Sequence, residues 1–315
     1  MQNSKPKLKI KNFGRIGVLA GGPSNEREIS LRSGKAVYEA LVREGCEAIF
    51  LDVRDDIHDI IEKGKIDVAF IALHGKFGED GTVQRILEEA AMPYTGSGPE
   101  ASRLALDKAA SKEIFNERGI PMPHYVVLEE CARAAGEKIW AALNLGFPLV
   151  VKPQSEGSSI GLSIVKDRGS LKGAIEKAFQ YGPKVILEEY IAGRELTVGI
   201  LDDEPLPVIE IVTKKGVYDF SAKYEDPETN YLVPAPIEKA AFEKAKEMGK
   251  RSHASLGCRS FSRVDMMMDR SGNIFVLEVN TIPGMTERSL LPKAAAAIGV
   301  SFGELCVRLI ENALK

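Results

Sequence analysis

Apolar positions follow two rhythms in the first third of the chain. Short apolar runs at residues 15–20, 46–53 and 67–73 read as strands, the first of them RIGVLA closing on Gly21 and Gly22. Between the first two runs, Ile29, Ala36, Val37, Ala40 and Leu41 recur at roughly helical spacing. Asn25 followed by Glu28 has the spacing of a capping box, which predicts the helix start there. Strand, helix, strand in this order predicts a parallel sheet. Ligands of such sheets sit beyond the carboxyl ends of the strands. Two unusual loops fall at those ends, GGPSNERE at 21–28 and HGKFGEDG at 74–81.

A helical pattern over 104–118 leads into Gly119-Ile120-Pro121-Met122-Pro123, a proline-rich joint that reads as a domain boundary. A second α/β unit follows, with strands expected at 124–128, 148–152, 161–165 and 185–189 and helices at 135–143 and 171–179. The remainder opens with strands at 195–201 and 206–212. A polar loop at 218–235, a long helix at 238–256, a hairpin and two terminal helices complete it. The division is therefore 1–120, 121–193 and 194–315.

The hairpin, RVDMMMDRSGNIFVLEVN, turns at the Asp, Ser, Gly and Asn of 269–273. If it is symmetric about Ser271 and Gly272, Asp265 lies opposite Glu278 and Arg263 opposite Asn280. Side chains two apart share a face of a strand, and like charges directly opposite each other destabilise a sheet. A cation between Asp265 and Glu278 resolves the conflict. The donors are oxygens with no His or Cys among them, which suits Mg²⁺ shared with phosphates. A solvated acidic face is the alternative. The apolar residues Ile274, Phe275, Val276, Leu277 and Val279 around the acid count against it. Met266, Met267 and Met268 are expected to pack beneath this floor.

The bulk numbers alter this picture little. At 315 residues the chain has room for two or three domains, and 44% apolar with 28% charged residues is ordinary globular composition. A net charge of −3 offers nothing to nucleic acid or an anionic membrane. No segment approaches a membrane span, and the basic N-terminal stretch lacks the apolar run of a secretory signal. Cys46, Cys131, Cys258 and Cys306 are scattered without metal spacing, as reduced thiols of a cytoplasmic protein would be.

Several loops carry candidate chemistry. In KPQSEGSSIG, 152–161, two glycines and three serines allow the backbone close to an anion, and Lys152 adds a charge. A phosphate lid and a surface hairpin both fit that pattern. Neither a Walker A loop nor a dinucleotide fingerprint occurs. VILEEYI, 185–191, could edge an adenine through Glu188 and the backbone of Glu189 and Ile191. Lys223 and Tyr224 open a loop long enough to be a closing lid. Gly284 offers an unhindered N–H. Ser289 can start a helix whose positive end holds a carboxylate. Glu26 and Glu28 equally suit a helix dipole, and His74 equally suits a turn. His58, His124 and His253 read as structural.

Taken together, GGPSNEREIS, ALHGKFGEDG, PYTGSG, KPQSEGSSIG, AKY, RVDMMMD and LEVNTIPGMTERSL resemble, in order and along nearly the whole chain, the D-alanine–D-alanine ligase family of the ATP-grasp superfamily. The resemblance implies an α/β fold of three domains, an ATP-grasp pair behind an N-terminal parallel-sheet domain. It implies ATP and D-alanine as substrates, two Mg²⁺ (or Mn²⁺) as cofactors, a homodimer and a cytoplasmic location. It further implies a D-alanyl phosphate, made from one D-alanine and ATP and captured by the amine of a second.

By the same resemblance, Asp265, Glu278 and Asn280 hold the metals, and Lys108, Lys152, Ser159 and Lys223 meet the phosphates. Glu188, Glu189 and Ile191 take the adenine and Glu195 the ribose. Glu26 binds the first ammonium, His74 lines that subsite, and Ser158 and Tyr224 link Glu26 to the lid. Arg263 and Gly284 stabilise the oxyanion, and Ser289 with Leu290 holds the second carboxylate. Related ligases that make D-alanyl-D-lactate carry a His where Tyr224 stands, so the dipeptide is the expected product. Some relatives carry Lys in place of Glu189, a difference of little weight if that contact is made by the backbone.

Overall fold

A computed structural model describes residues 12–54, 57–130, 143–213 and 228–315. The N-terminal pattern gives β1 (Ile16–Gly21), α1 (Arg27–Arg43), β2 (Ala48–Val53), α2 (Ile57–Gly64) and β3 (Val68–Ile71). The three strands form the expected parallel sheet in the order β2-β1-β3. The helix begins one residue later than the capping-box spacing predicts. Glu26 occupies the cap position and makes no side-chain cap bond, because its carboxylate is engaged elsewhere.

Next come α3 (Thr82–Glu89), α4 (Pro99–Leu106) and α5 (Lys108–Glu117). The sequence pattern merges the last two into one helix. Asp107 breaks it, with an extended backbone (ψ 93°) and a side chain that accepts from the N–H groups of Ala109 and Ala110. This cap fixes Lys108 at the first turn of α5. Helices α2 and α3, too short for a firm periodic signal, were not expected.

The middle region forms an antiparallel sheet from β4 (Tyr125–Glu129), β5 (Leu149–Pro153), β6 (Ser163–Val165) and β7 (Lys184–Glu189), in the order β4-β7-β5-β6. One face packs on α6 (Arg168–Phe179), burying Leu128, Leu149, Val151, Val185 and Leu187 with Leu171 and Ala174 in a core of their own. The helix expected at 135–143 lies outside the described residues but for its last position.

The largest sheet runs β11-β10-β8-β12-β13, with β9 paired to β8. Its strands are β8 (Gly193–Leu201), β9 (Glu204–Pro205), β10 (Ile209–Val212), β11 (Asn230–Leu232), β12 (Phe261–Asp269) and β13 (Ile274–Asn280). Strand β11 falls inside the segment expected to be a loop, pairing antiparallel with β10. Helices α7 (Lys239–Ser255), α8 (Leu290–Ala297) and α9 (Phe302–Ala313) complete the chain. One continuous core joins Ile16, Val18 and Phe70 of the first sheet to Leu201, Ile211 and Phe261 of the largest and to α8 and α9. The middle sheet stands apart from that core.

The three methionines do not all lie beneath the floor. Met266 and Met268 are buried in the core against α7, while Met267 points to the opposite face and lines a cleft, as strand alternation requires. His253 is buried between Ser262 Oγ (2.7 Å from Nδ1) and Asp203 Oδ1 (3.0 Å from Nε2), in keeping with a structural role.

Candidate active site

Strand β12 pairs with β13 so that Arg263 faces Asn280 and Asp265 faces Glu278. The pairing arises differently from the symmetric hairpin. Near the tip the register is Met268 to Ile274 and Met266 to Val276, which centres the turn on Ser271; a bulge between Asp265 and Met266 then leaves Leu277 as the extra residue. The bulge turns Leu277 and Glu278, neighbours in sequence, toward the same cleft. An apolar patch of Leu277 and Met267 therefore lies beside the acidic pair.

Asp265 is buried and heavily hydrogen-bonded. It accepts from Arg263 Nε (2.9 Å) and Nη2 (2.7 Å), from Thr197 Oγ1 (2.7 Å) and from Asn280 Nδ2 (3.1 Å). Glu278 lies 3.4 Å from Lys108 Nζ, which also donates to the Glu156 carbonyl at 2.6 Å. Two carboxylates in direct cross-strand register and an amide two residues on, all oxygen donors, fit a hard divalent cation. Among the described residues no cluster of three His, Cys, Asp or Glu side chains forms. A cation here would complete its shell from phosphate or water.

A cleft of about 290 Å³ lies between the middle and largest sheets. It gathers Lys108, Lys152, Ser159, Glu188, Glu189, Ile191, Glu195, Asp265 and Glu278, residues spread over 171 positions if counted from Lys108 to Glu278. Glu188 differs from a simple adenine acceptor. Its two oxygens are held by Lys112 (3.1 Å) and Lys152 (2.9 Å). Burial pushes this carboxyl up, but the two lysines outweigh burial and hold it below the usual carboxylate range. The Glu189 N–H is committed to the carbonyl of His124.

A second cleft, about 590 Å³, brings together Glu26, His74, Ser158, Arg263, Asn280, Gly284, Ser289 and Leu290. Ser158 Oγ donates to Glu26 Oε1 across 132 residues of sequence. Ser158 and Ser159 both adopt the left-handed backbone (φ 48° and 58°), strain of the kind found at functional loops. The other carboxylate oxygen, Glu26 Oε2, is buried and has no donor among the described residues. It lies where side chains would collide, for a Cβ on Gly75 or Gly157 would come within 2.6 or 2.5 Å of it. His74 is buried, with Nε2 2.9 Å from Ser33 Oγ, and burial lowers its pKa despite the nearby Glu26. Ser289 stands at the cap position of α8 without a side-chain cap bond, and its Oγ accepts from Thr286 N at 3.1 Å. A gap of about 20 Å³ shares Lys108, Glu156 and Glu278 with the first cleft, and Glu79 and Asn280 with the second.

Of the residues expected at the site, Lys223 and Tyr224 lie outside the described residues. Four polar residues escaped the sequence reading. Glu79 and Glu156 sit within the quoted loops, Thr197 breaks an apolar strand, and Lys112 follows Lys108 by one helical turn. Only the last two have a sequence signal, a polar residue in an apolar run and an i, i+4 repeat.

Residues 114–311 match the family model for the D-ala D-ala ligase C-terminus, and 52–97 that for the N-terminus. The D-alanine–D-alanine ligases of Syntrophotalea carbinolica and Citrifermentans bemidjiense are 49% and 46% identical to this chain, each alignment covering 95% of it and 96% of the relative. The crystal structure of D-alanine–D-alanine ligase from Bacillus anthracis complexed with ATP superposes with a TM-score of 0.84 at 37% identity. It covers 96% of this chain and 97% of that one. Full-length likeness, the two joined clefts and the hairpin register agree: the chain belongs to the D-alanine–D-alanine ligase family.

Proposed function

We infer that this chain is an ATP-dependent, ADP-forming ligase that joins two D-alanines, with the mixed α/β ATP-grasp fold. Its product feeds peptidoglycan synthesis. The observation that carries the reading is strand β12, which sets Asp265 in one cleft and Arg263 in the other, two residues apart. A nucleotide bound between the sheets would reach an amino acid held above Arg263 through the gap beside Glu278.

The residues divide the work by position. ATP lies in the first cleft with its base against Met267, Leu277 and Ile191, edged by the chain of Glu188, Glu189 and Ile191, and its ribose at Glu195. Lys108, Lys152 and Ser159 meet the phosphates. Asp265, Glu278 and Asn280 would hold the magnesium ions, whose chemistry is to neutralise charge on the transferring phosphoryl group. By the family resemblance, Lys223 would also meet the phosphates.

In the second cleft the first D-alanine presents its ammonium to Glu26 Oε2, the buried acceptor still without a donor, with His74 lining the subsite and Ser158 holding the other carboxylate oxygen. Its carboxylate oxygen attacks the γ-phosphorus and ADP leaves. The amine of the second D-alanine, anchored by its carboxylate at Ser289 and the α8 N-terminus at Leu290, loses a proton and attacks the acyl carbon. Arg263 and the Gly284 N–H stabilise the oxyanion until phosphate departs.

The same reading expects three domains, 1–120, 121–193 and 194–315, a homodimer and a cytoplasmic location. Cys46, Cys258 and Cys306 are free thiols, and no single described helix is long and apolar enough to cross a membrane.

Turnover with ATP, Mg²⁺ and D-alanine, followed by mass spectrometry, tests the function. Stoichiometric ADP, phosphate and D-alanyl-D-alanine are expected, with no product from L-alanine. ATP consumption without D-alanine-dependent product would overturn the reading.

A further inference from the structure

One face of α5 aims two lysines at two different carboxylates. Lys108 reaches Glu278 in the nucleotide cleft, whereas Lys112, one turn later, is fully buried and reaches Glu188 at 3.1 Å. The Lys112 ammonium also lies 5.3 Å from the centre of the Tyr125 ring, a cation–π distance. Sheet register builds the rest of the nest. Tyr125 and Val150 flank Glu188 on β4 and β5, and Lys152 stands two residues beyond Val150 on the same face. Lys152 lines the cleft; Lys112 does not.

Two cations thus share one buried anion, and only one of them can meet a ligand. With Lys112 in place the trio carries a charge of +1, and Glu188 stays compensated when Lys152 turns away. Without Lys112, Lys152 and Glu188 form a neutral pair with little water around it. Breaking such a pair leaves a buried carboxylate alone, a strongly unfavourable state.

We propose that Lys112 is a positioning residue for nucleotide binding: it compensates Glu188 from behind, so that the Lys152 charge remains available to the phosphates of the nucleotide. The proposal rests on the nucleotide reading of the cleft. Lys112 acts wholly through Glu188 and Lys152, and its effect belongs to the triphosphate rather than to the base.

Calorimetric titration of the full chain with Mg²⁺-ATP and with adenosine separates the two. Lys112→Met is expected to weaken ATP by about tenfold, the scale of one charge-assisted contact, and adenosine by less than about twofold. In a Glu188→Gln background, where no buried charge needs compensation, Lys112→Met is expected to leave the ATP-to-adenosine ratio unchanged. That double variant removes both charges of the pair, so a ratio that falls there overturns the role even if the single variant fails to fold. Equal losses for both ligands, no loss of ATP, or a ratio that still falls in the Glu188→Gln background would each overturn the positioning role. If the unmutated chain shows no preference for ATP over adenosine, the nucleotide reading itself fails.

Discussion

The guanidinium of Arg263 and the carboxylate of Asp265 grip each other twice along a single strand, Nε to Oδ1 at 2.9 Å and Nη2 to Oδ2 at 2.7 Å. Each belongs to a different cleft, so the pair ties the orientation of the side chain proposed to meet the acyl carbon to that of the one proposed to hold the metal. On the proposed oxyanion role, Arg263→Ala is expected to lose on the order of 10² to 10³ in turnover. Thr197 and Asn280 still donate to Asp265, so ATP affinity is expected to change only a few-fold. Coupled ADP release and calorimetry on the same variant check both halves. Wild-type turnover in Arg263→Ala would refute its part in the chemistry.

Glu26 offers a second test. One oxygen takes the Ser158 hydroxyl and the other waits, buried, for a donor. Glu26→Gln keeps the shape and removes the charge. The KM for D-alanine at the first subsite is expected to rise by about tenfold or more, the worth of a charge-assisted hydrogen bond, while ATP binding is unchanged. A variant whose D-alanine KM matches the parent rules out the ammonium contact.

Glu79 gives a pH signature. Burial first, and then the neighbouring Glu26, push its carboxyl up to about 8, although the Gly75 N–H donates to it at 2.7 Å. The folded pKa lies above the unfolded one, so the folded state binds more protons between about pH 4.5 and 8. This residue's contribution to stability is therefore full at low pH and is lost as pH rises through that window. Glu79→Gln is expected to flatten the decline in unfolding free energy between pH 5 and 8, read by urea titration. A decline as steep as the parent's would show that Glu79 is ionised in the fold.

The middle sheet has its own core, centred on residues such as Leu187, which is wholly buried. Leu187→Ala is expected to cost about 2 to 5 kcal/mol within that sheet and to weaken ATP, whose cleft it roofs. Hydrogen exchange should show the loss in β4, β5 and β7 and little change in β1 and β3. Loss spread evenly over the chain would contradict a separate core.

Much of this was legible in the sequence because it rests on local chemistry. The β1–α1–β2 alternation, the hairpin and the glycine- and serine-rich loops follow from periodicity and turn residues. The pairing of Asp265 with Glu278 was read correctly from a symmetry the hairpin does not have. A turn centred on Ser271 and a bulge at Leu277 offset each other by one residue, and no residue pattern announces that offset. The break at Asp107 was hidden because helical spacing continues through it. Long-range partnerships were the least legible. Nothing local to Lys112, Glu79 or Thr197 says which carboxylate or backbone group each will meet, since that depends on how separate sheets are stacked.

The Leu277 bulge has a bearing on redesign. In a regular strand, neighbouring side chains point to opposite faces, so a base-contacting position and an acidic one could not be consecutive. Here Leu277 and Glu278 are consecutive and line one cleft, so with the base placed as proposed, Leu277 is a natural dial for nucleobase preference. Its side chain can be enlarged, trimmed or made polar to favour a different purine, while Glu278 one residue on keeps its place opposite Asp265.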